Sequence, residues 1–523
     1  LQPPSDRAQV SSSCCKPDHF YARSFLFASM KRPSGEFATG DESAGPPATK
    51  RQVITKKPDK ESAGVYIHDT SFDADGFVQD IQEAKQAVGP SGPADAAHLY
   101  YLIGLAQKLS YGGHILLFAS AFRAGGAAAA TICGVLSVGM ISFSRNMRWT
   151  IIGHHVSHGG YTSLSADKTL PSKFKRGRFA VGLIRRCIDW LDWMLPEAWD
   201  LEHNKLHHYE LSEDSDPDLV ERNFKILRDL PMPNVLKLMS MLFWVASWKW
   251  TYYSPNTLKE YRLSKKSGYV ARNWPKRVNA NEPLTFADLL VRRPLEAILT
   301  GNFSELFLWF LMGLYWFQLI APMVMLVVFP PITLALLSTT PVWAQLCPSD
   351  LEVFDVVARS MVLGIVAEVL TNAHSFVVIV PNHCGKDLYH YQTPCTSYSA
   401  EFLLRCIYSS ANFETGCDLV DIPYGWLNYQ VEHHMFPNMT PLQYRKLQPL
   451  VKSICKKHGV VYTQQNGLWR TWVMLRVAVG MDSMTSVTAV LPPECNGNRA
   501  KASLYKQEVT KATPAQTEVL MGA

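Results

Sequence analysis

Half of the histidines in this chain lie in three short segments. The sequence contains 16 histidines, and eight of them fall within His154–His158, His203–His208 and His433–His434. Imidazole is the commonest metal-binding side chain, because its neutral ring offers a nitrogen lone pair near physiological pH. An isolated histidine is more often a surface or hydrogen-bonded core residue, but chance does not gather so many into so few positions. The clustering therefore predicts a histidine-rich metal centre.

The spacing within the first two segments suits one face of a helix. On an α-helix, residues four positions apart are neighbours on the surface, so His154 and His158 can reach the same metal ion. His203 and His207 repeat this spacing. We therefore expect two helices, each presenting a pair of imidazoles.

The adjacent histidines indicate more than one ion. His208 points about 100° away from His207 on an α-helix, and could therefore serve a neighbouring ion. The neighbours His433 and His434 likewise cannot aim both rings in one direction. Nitrogen-rich ligation without thiolates suits iron, copper or zinc, and the residue types alone do not choose among them. Two ions close to a membrane suit oxidation chemistry.

The elements that must position these histidines include membrane segments. The stretch Leu306–Ser349 is 44 residues long and contains no Asp, Glu, Lys or Arg, and at about 1.5 Å per residue it could cross a ~30 Å hydrocarbon core about twice. Ala124–Ser144 is a second charge-free run of 21 residues. Residues 99–122 and 353–381 are also largely apolar. We expect an all-α integral membrane protein with about four crossings, two before and two after a polar section at 145–300.

The remaining composition defines three regions and excludes some partners. Residues 1–95 are expected to be disordered or loosely folded, 96–475 to form the membrane domain, and 476–523 to form a polar tail. The net charge of +6 is spread along the chain, without a basic stripe that would bind nucleic acid. The 11 cysteines include no C-x-x-C pair, which favours reduced thiols in a cytosol-facing protein over disulfides or a cysteine-bound zinc.

Two aromatic stretches within the polar section allow two interpretations. Residues 180–199 and 234–252 are amphipathic and rich in tryptophan. Helices lying in the membrane interface carry such tryptophans, and so does the packed interior of a cytosolic lobe. Both interpretations remain open from the sequence. Residues 234–252 are also a candidate lining for a substrate tunnel.

The last histidine cluster resembles a known motif. Residues 428–437 read NYQVEHHMFP, which is similar to the Q-x-x-H-H box of front-end acyl desaturases in the membrane-bound fatty acid desaturase superfamily. Asp216-Pro217-Asp218 after the second cluster, and Cys455, His458, Gly459 and Tyr462 after the third, are further similarities. The resemblance covers roughly residues 100–465. The first box departs from the family by His155 in place of Asp, and the second reads H-x-x-x-H-H instead of H-x-x-H-H.

The resemblance implies a ligand set for two non-haem iron ions in a cytosolic helical cap. An additional ligand is expected between the last membrane segment and the third box, where His383 is the candidate and His374 the alternative. His155, Gln430, Asn412 and Glu432 are candidates for residues that support ligands without binding metal. The implied ligands are His154, His158, His203, His207, His208, His383, His433 and His434.

The resemblance also implies the reaction, an O2-dependent insertion of a cis double bond into a fatty acyl chain with two electrons. The chain has no HPGG haem motif, so a fused cytochrome b5 domain is not expected, and a separate cytochrome b5 with its reductase, or ferredoxin, would supply electrons. The endoplasmic reticulum is the expected membrane, with a plastid membrane as the alternative. Hydroxylases and sphingolipid or sterol desaturases of the same superfamily remain alternatives. Outside the enzyme class, a membrane zinc protein is the competing hypothesis.

Overall fold

The computed structural model is built mainly of helices. It describes residues 64–181, 185–190, 192, 194–264, 299, 328–341 and 352–495. The α-helices are α1 (Ala74–Val88), α2 (Pro93–Ala121), α3 (Gly126–Asn146), α4 (His154–Ser157), α5 (Thr162–Ala166), α6 (Pro196–Leu201), α7 (Val220–Asn223), α8 (Lys225–Asp229), α9 (Asn234–Trp248), α10 (Ser254–Ser264), α11 (Val353–Ile379), α12 (Ala400–Tyr408), α13 (Asp418–Asp421), α14 (Gln430–Met435), α15 (Pro441–Lys457) and α16 (Gly467–Ala478).

Shorter elements connect these helices. Among the described residues, four segments are π-helices, namely Met147–Gly153, Arg186–Trp190, Glu202–His207 and Lys249–Tyr253. Ser172–Phe174 and Val380–His383 are single 3₁₀ turns, and Val328–Leu337 is a short apolar helix. The strands β1 (Tyr389–Tyr391) and β2 (Thr485–Val487) pair in parallel, with Tyr389 opposite Thr485.

In the described part of the chain, the long helices α2, α3 and α11 form the apolar body. The predicted helical pair near the N-terminal side is confirmed, because α2 and α3 pack along each other across a short turn at 122–125. Among the residues described, Gly126–Ser157 is the helix long and apolar enough to cross a membrane. The two crossings predicted within 306–349 fall mostly outside the described residues. The number of four crossings therefore stays a prediction.

Polar side chains join α3 to α11 inside this body. Arg145 and Glu368 form a buried ion pair, and Thr371 Oγ1 donates a hydrogen bond of 3.2 Å to Ser142 Oγ. Such groups are costly inside an apolar bundle unless they are paired, so each contact favours one alignment of the two helices. The alignment matters because α3 leads to the first histidine box and α11 leads to His383.

The regions expected to be loose contribute ordered structure near both ends. Within 1–95, α1 buries Phe77 and Ile81 and packs against α15. Within 476–523, β2 pairs with β1, and the backbone amides of Val490 and Leu491 donate hydrogen bonds to the buried Glu401 carboxylate at 2.9 and 2.8 Å. These elements were not expected because their sequence signals are weak. A single amphipathic helix and a strand of three residues stand out little within polar surroundings.

The tryptophans of the two aromatic stretches include several core residues. Trp190, Trp199 and Trp248 are each exposed by 4% or less. Trp190 packs against Trp199 at a ring-centroid distance of 5.6 Å, Trp199 against His154 at 5.3 Å, and Trp248 against Phe376 at 5.8 Å. Packing within the protein therefore accounts for these three side chains, and the position of the two stretches relative to the membrane interface stays a prediction.

Candidate metal centre

The first histidine box follows a π-helix. The chain runs from α3 through Met147–Gly153 into α4, so the box continues the candidate membrane helix. Trp190 packs against the backbone of Gly153, where an added Cβ would lie 2.9 Å from the indole ring. His154 and His158 project to one side, with ring centroids 4.8 Å apart. The predicted pairing of these two histidines is confirmed.

The second box departs from the predicted α-helix. Glu202–His207 is a π-helix, and the His208 amide donates to the His203 carbonyl five residues earlier at 3.1 Å. The wider turn brings residues five apart toward one side. His203 Nε2 and His208 Nε2 therefore lie 3.3 Å apart. The prediction of an ordinary α-helix is wrong here, because the π-helix brings His203 beside His208. His207 and His208 still point in different directions, with ring planes 84° apart, as their adjacency predicted. His203 and His207 also remain neighbours, with ring centroids 5.3 Å apart.

The third box lies on the short helix α14. His433 and His434 point to different sides, with ring planes 78° apart, as their adjacency predicted. The Tyr444 hydroxyl donates to the carbonyls of Phe436 and Pro437, each at 3.0 Å, and lies 3.2 Å from His433 Nδ1. Tyr444 thus holds the end of α14 and the ring of His433 together.

The three boxes and His383 meet in two groups of nitrogen donors. The nitrogens of each group lie within 4.8 Å of one another. A further arrangement of His203, His207 and Asp218 meets the same distance. Ring contact joins the two main groups, since His208 stacks on His434 at 4.2 Å. The larger group contains His154, His158, His203, His208 and His433, and the smaller contains His207, His383 and His434.

The donor set fits metal ions. His154 Nε2 lies 2.9 Å from His433 Nε2, and His434 Nε2 lies 3.1 Å from His383 Nε2. Two nitrogens about 2.1 Å from one ion and at right angles to each other would be about 3 Å apart. His158 Nε2 is buried and has no hydrogen-bond partner. Buried lone pairs that face one another are unfavourable unless a cation or proton lies between them. Neither main group contains a cysteine among the residues described.

Electrostatics keep most of these rings neutral. Burial, followed by repulsion from neighbouring rings, lowers the pKa of His203, His208 and His434 well below the ordinary value. Burial and the nearby His207 lower the pKa of His383 to about 3. A neutral imidazole has a free lone pair, which is the form that binds metal.

His207 has a charged partner that fixes its orientation. Its Nδ1 donates to Asp216 Oδ1 at 2.9 Å, and both side chains are buried. Burial alone would lower the pKa of His207, but the charge of Asp216 and this hydrogen bond raise it. The bond places the proton on Nδ1 and leaves Nε2 for the smaller group. This carboxylate–imidazole arrangement is typical of metal-binding histidines.

The structure separates the two candidates for the additional ligand. His383 lies in the smaller group, and its Nδ1 is 3.1 Å from the Ser409 carbonyl. His374 is 2.7 Å from the Pro423 carbonyl, stacks on Phe143, and belongs to neither group.

Two of the candidate supporting residues lie close to the donor groups. Gln430 lines the same cavity as His383, and its buried Oε1 has no hydrogen-bond partner among the described residues. His155 packs beside His154 and His433, and its Nδ1 is 2.7 Å from the Ile151 carbonyl. His155 therefore contacts two members of the larger donor group.

Asn412 and Glu432 act on the helix that carries the third box. Asn412 Oδ1 accepts from the Val431 amide at 2.9 Å, and Asn412 Nδ2 donates to Glu432 Oε2 at 2.8 Å. Tyr462 donates to the other oxygen of Glu432 at 2.8 Å. Burial raises the pKa of Glu432 to about 7. These groups brace α14 without touching the donor nitrogens.

Sequence reasoning missed three residues at the centre. Asp216 appeared only as part of a similar tripeptide, and Tyr444 did not appear. Trp199 was counted as one of several aromatic residues, yet it stacks on His203 with ring centroids 4.7 Å apart. A carboxylate nine residues after His207 is a usable signal, because ligand histidines commonly donate to carboxylates. Tyr444 and Trp199 have no comparable signature.

A cavity of about 350 Å³ leads to the histidines. His154, His203, His207 and His383 line one part of it. Several of its walls come from residues 234–252, the stretch named as a candidate lining for a substrate tunnel, and its role toward substrate stays a prediction. Most of the other walls are apolar. They include Trp149, Trp199, Leu227, Trp244, Trp248, Tyr252, Tyr253, Phe376, Ile379 and Leu427.

Comparison with known proteins identifies the family. The model of the family described as fatty acid desaturase matches residues 126–466, a range that contains all three boxes and His383. The chain belongs to the fatty acid desaturase family, whose members are membrane-associated oxidoreductases that act on lipids. The resemblance to the membrane-bound desaturase superfamily is thereby confirmed.

Individual relatives match over short segments. The chain is 58% identical over 38 residues to the fatty acid desaturase 2-like protein of Mus musculus, covering 7% of this chain and 8% of that protein. It is 34% identical over 103 residues to fatty acid desaturase 3 of Homo sapiens, covering 20% of this chain and 22% of that protein. The alignments thus span less than a quarter of these relatives. No solved structure matches.

Proposed function

We propose that this chain is a membrane-bound di-iron desaturase that inserts a cis double bond into a fatty acyl chain, using O2 and two electrons. The observation that supports this function most strongly is the convergence of eight histidines beside an apolar cavity, which four of them line. Family membership supports the same conclusion. The ligands proposed for the two ions are the members of the two donor groups.

The residues of the chain would perform three tasks. Asp216, Tyr444 and the Ser409 carbonyl orient rings of the donor groups. The apolar walls at Trp248 and Phe376 would hold an acyl chain and exclude water from the histidines. Iron held by the two groups would supply the activation of O2 that an unactivated C–H bond requires. The position of the chain in the cavity would select the carbon pair, because reaction follows proximity.

The finer assignment is a front-end desaturase with a separate electron donor. The sequence Gln430–Val431–Glu432–His433–His434 supports the front-end type, and Gln430 lies in the wall of the cavity that His383 also lines. A cytochrome b5 with its reductase is the proposed donor, and ferredoxin is the alternative. We place the protein in the endoplasmic reticulum membrane with about four crossings, supported by the apolar helix Gly126–Ser157.

Product analysis tests this function. The protein is expressed in a yeast that makes no polyunsaturated lipids, which is fed mono-, di- and polyunsaturated acids. Mass spectrometry then locates new double bonds. A new bond between the carboxyl group and an existing double bond is the expected product. A hydroxylated lipid would assign the chain to the hydroxylases instead.

A matched pair of variants shows whether the new product is made by this protein or by the host. His434→Ala removes a donor of the smaller group, whereas His374→Ala removes a histidine outside both groups. The first is expected to abolish product and the second to retain it. About two zinc ions without iron in an inactive protein would favour a non-enzymatic metal protein.

A further inference from the structure

The cavity reaches the protein surface through apolar side chains. Ile226, Leu230 and Met232 line the cavity, and they are exposed by 82%, 40% and 38%. Other parts of the same lining are the buried rings of His154 and His207. A side chain that is both part of the wall and strongly exposed marks an opening. The cavity therefore opens between α8 and the start of α9.

The opening continues into an exposed apolar stripe on α9. Val235, Met239, Leu242 and Phe243 are exposed by 62%, 61%, 71% and 60%. Their spacing of four, seven and eight residues from Val235 puts them on one side of the helix. We call these four residues, together with Ile226, Leu230 and Met232, the portal surface. A contiguous apolar surface of this kind is typical of a face that contacts lipid or another partner.

Neighbouring helices connect the portal surface to the candidate membrane helix. α9 packs on α11, and the Trp248 indole at its end donates to the Asn372 carbonyl at 2.8 Å. α11 in turn packs on α3, which begins the membrane-spanning helix. α11 exposes its own apolar side chains, including Phe354 at 75% and Val362 at 58%. The portal surface therefore belongs to an apolar surface that extends over the membrane helices.

The cations beside the opening have partners. Arg222 donates to the carbonyls of Asp214 and Asp216, and Lys225 pairs with Asp229 at 2.6 Å. Arg228 bonds to Glu221 and to the Val477 carbonyl, and Lys237 donates to the Arg228 carbonyl at 2.6 Å. A nucleotide carrier such as coenzyme A presents several phosphates, which are usually bound by clustered Arg and Lys. Within the described segment 220–237, the basic side chains are already engaged.

We propose that the cavity opens laterally into the membrane and takes the acyl chain of an intact glycerolipid, whose head group stays at the lipid surface. This inference rests on the proposed desaturase function and specifies its substrate class. Entry from the membrane explains why the opening is apolar and exposed. It also makes Ile226 and Met239 determinants of substrate entry that lie outside the metal centre.

Photo-crosslinking tests the opening without requiring turnover. The full chain is reconstituted in nanodiscs that contain phosphatidylcholine with a diazirine in one acyl chain, and labelled peptides are mapped by mass spectrometry. The same protein is exposed to a diazirine acyl-coenzyme A. Labelling of the peptides around residues 222–244 and of the cavity wall by the phospholipid is expected. Labelling of the cavity by acyl-coenzyme A alone would overturn the proposal.

Matched variants make the result specific to the opening. Ile226→Lys and Met239→Lys put a charge on the portal surface, whereas Leu419→Lys changes a side chain that is 89% exposed and does not line the cavity. Ile226→Lys and Met239→Lys are expected to lower labelling of the cavity wall by roughly tenfold. Each removes one aliphatic side chain that would be buried against lipid, and losing that burial weakens binding by about this factor. Equal labelling in all three variants would overturn the proposal.

The crosslinking result and the product analysis can fail independently of each other. If the phospholipid labels the cavity but no fed acid yields a new product, the lateral opening stands and the desaturase function fails. If double bonds form but only acyl-coenzyme A labels the cavity, the function stands and the lateral opening fails.

Discussion

The bond between His207 and Asp216 makes the clearest quantitative prediction. Asp216 is 2% exposed and accepts three hydrogen bonds, from His207 Nδ1 at 2.9 Å, the Ser212 amide at 2.8 Å and the Asp218 amide at 2.9 Å. In Asp216→Asn, one acceptor oxygen becomes an NH2 group that faces a donor. The lost partner should lower the free energy of unfolding by about 1–3 kcal/mol. Loss of the carboxylate that orients a ligand should weaken metal binding by about 10- to 100-fold.

The assay compares iron release from two neighbouring variants. Asp214 lies two residues earlier, its side chain is 77% exposed, and it bonds to His390. Asp214→Asn is therefore a control with the same chemical change outside the centre. Purified proteins are dialysed against increasing chelator, and iron per chain is measured by mass spectrometry. Asp216→Asn should lose iron at about 10- to 100-fold lower chelator activity than the control. Identical release curves would refute the orienting role of Asp216.

Further predictions concern other contacts of the centre and the bundle. Tyr444→Phe should leave His433 Nδ1 without its partner and lower the thermal midpoint and iron retention; an unchanged protein would contradict that contact. His383→Ala should lose iron and His374→Ala should keep it, and the opposite pattern would make His374 the ligand. Glu368→Ala leaves Arg145 unpaired and should lower the free energy of unfolding by about 3–5 kcal/mol. Arg145→Met/Glu368→Leu removes both charges and should approach the parent in denaturant unfolding. An equal loss of stability in both variants would argue against the ion pair. Removing metal should lower the thermal midpoint of unfolding, and adding Fe²⁺ should restore it. A ligand at about 100 times its Kd stabilises the folded protein by about 2.7 kcal/mol. An unchanged midpoint would argue against metal binding.

The sequence predicted those parts of the centre that depend on local spacing. His154 and His158 share a face because they are four residues apart, and His433 and His434 diverge because they are adjacent. The helical pair α2–α3 followed from two apolar runs separated by a short turn. Such features depend on helix geometry, which neighbouring elements change little.

Features that depend on tertiary contacts could not be predicted. The π-helix at 202–207 changes which histidines come together, and the surrounding packing decides whether such a wider turn forms. Tyr444 reaches His433 only because α15 packs back on α14. Trp199 and Trp248 fit an interfacial belt and a protein core equally well by composition, and only the tertiary structure shows that both side chains are buried.

The iron content of the protein, measured together with its lipid products, tests the central claim most directly. The parent chain and His434→Ala are purified from the same host, and iron, zinc and new double bonds are quantified in each preparation. We expect about two iron ions per chain in the parent, fewer in the variant, and double bonds only from the parent. Zinc in place of iron, or full product formation by His434→Ala, would contradict the account.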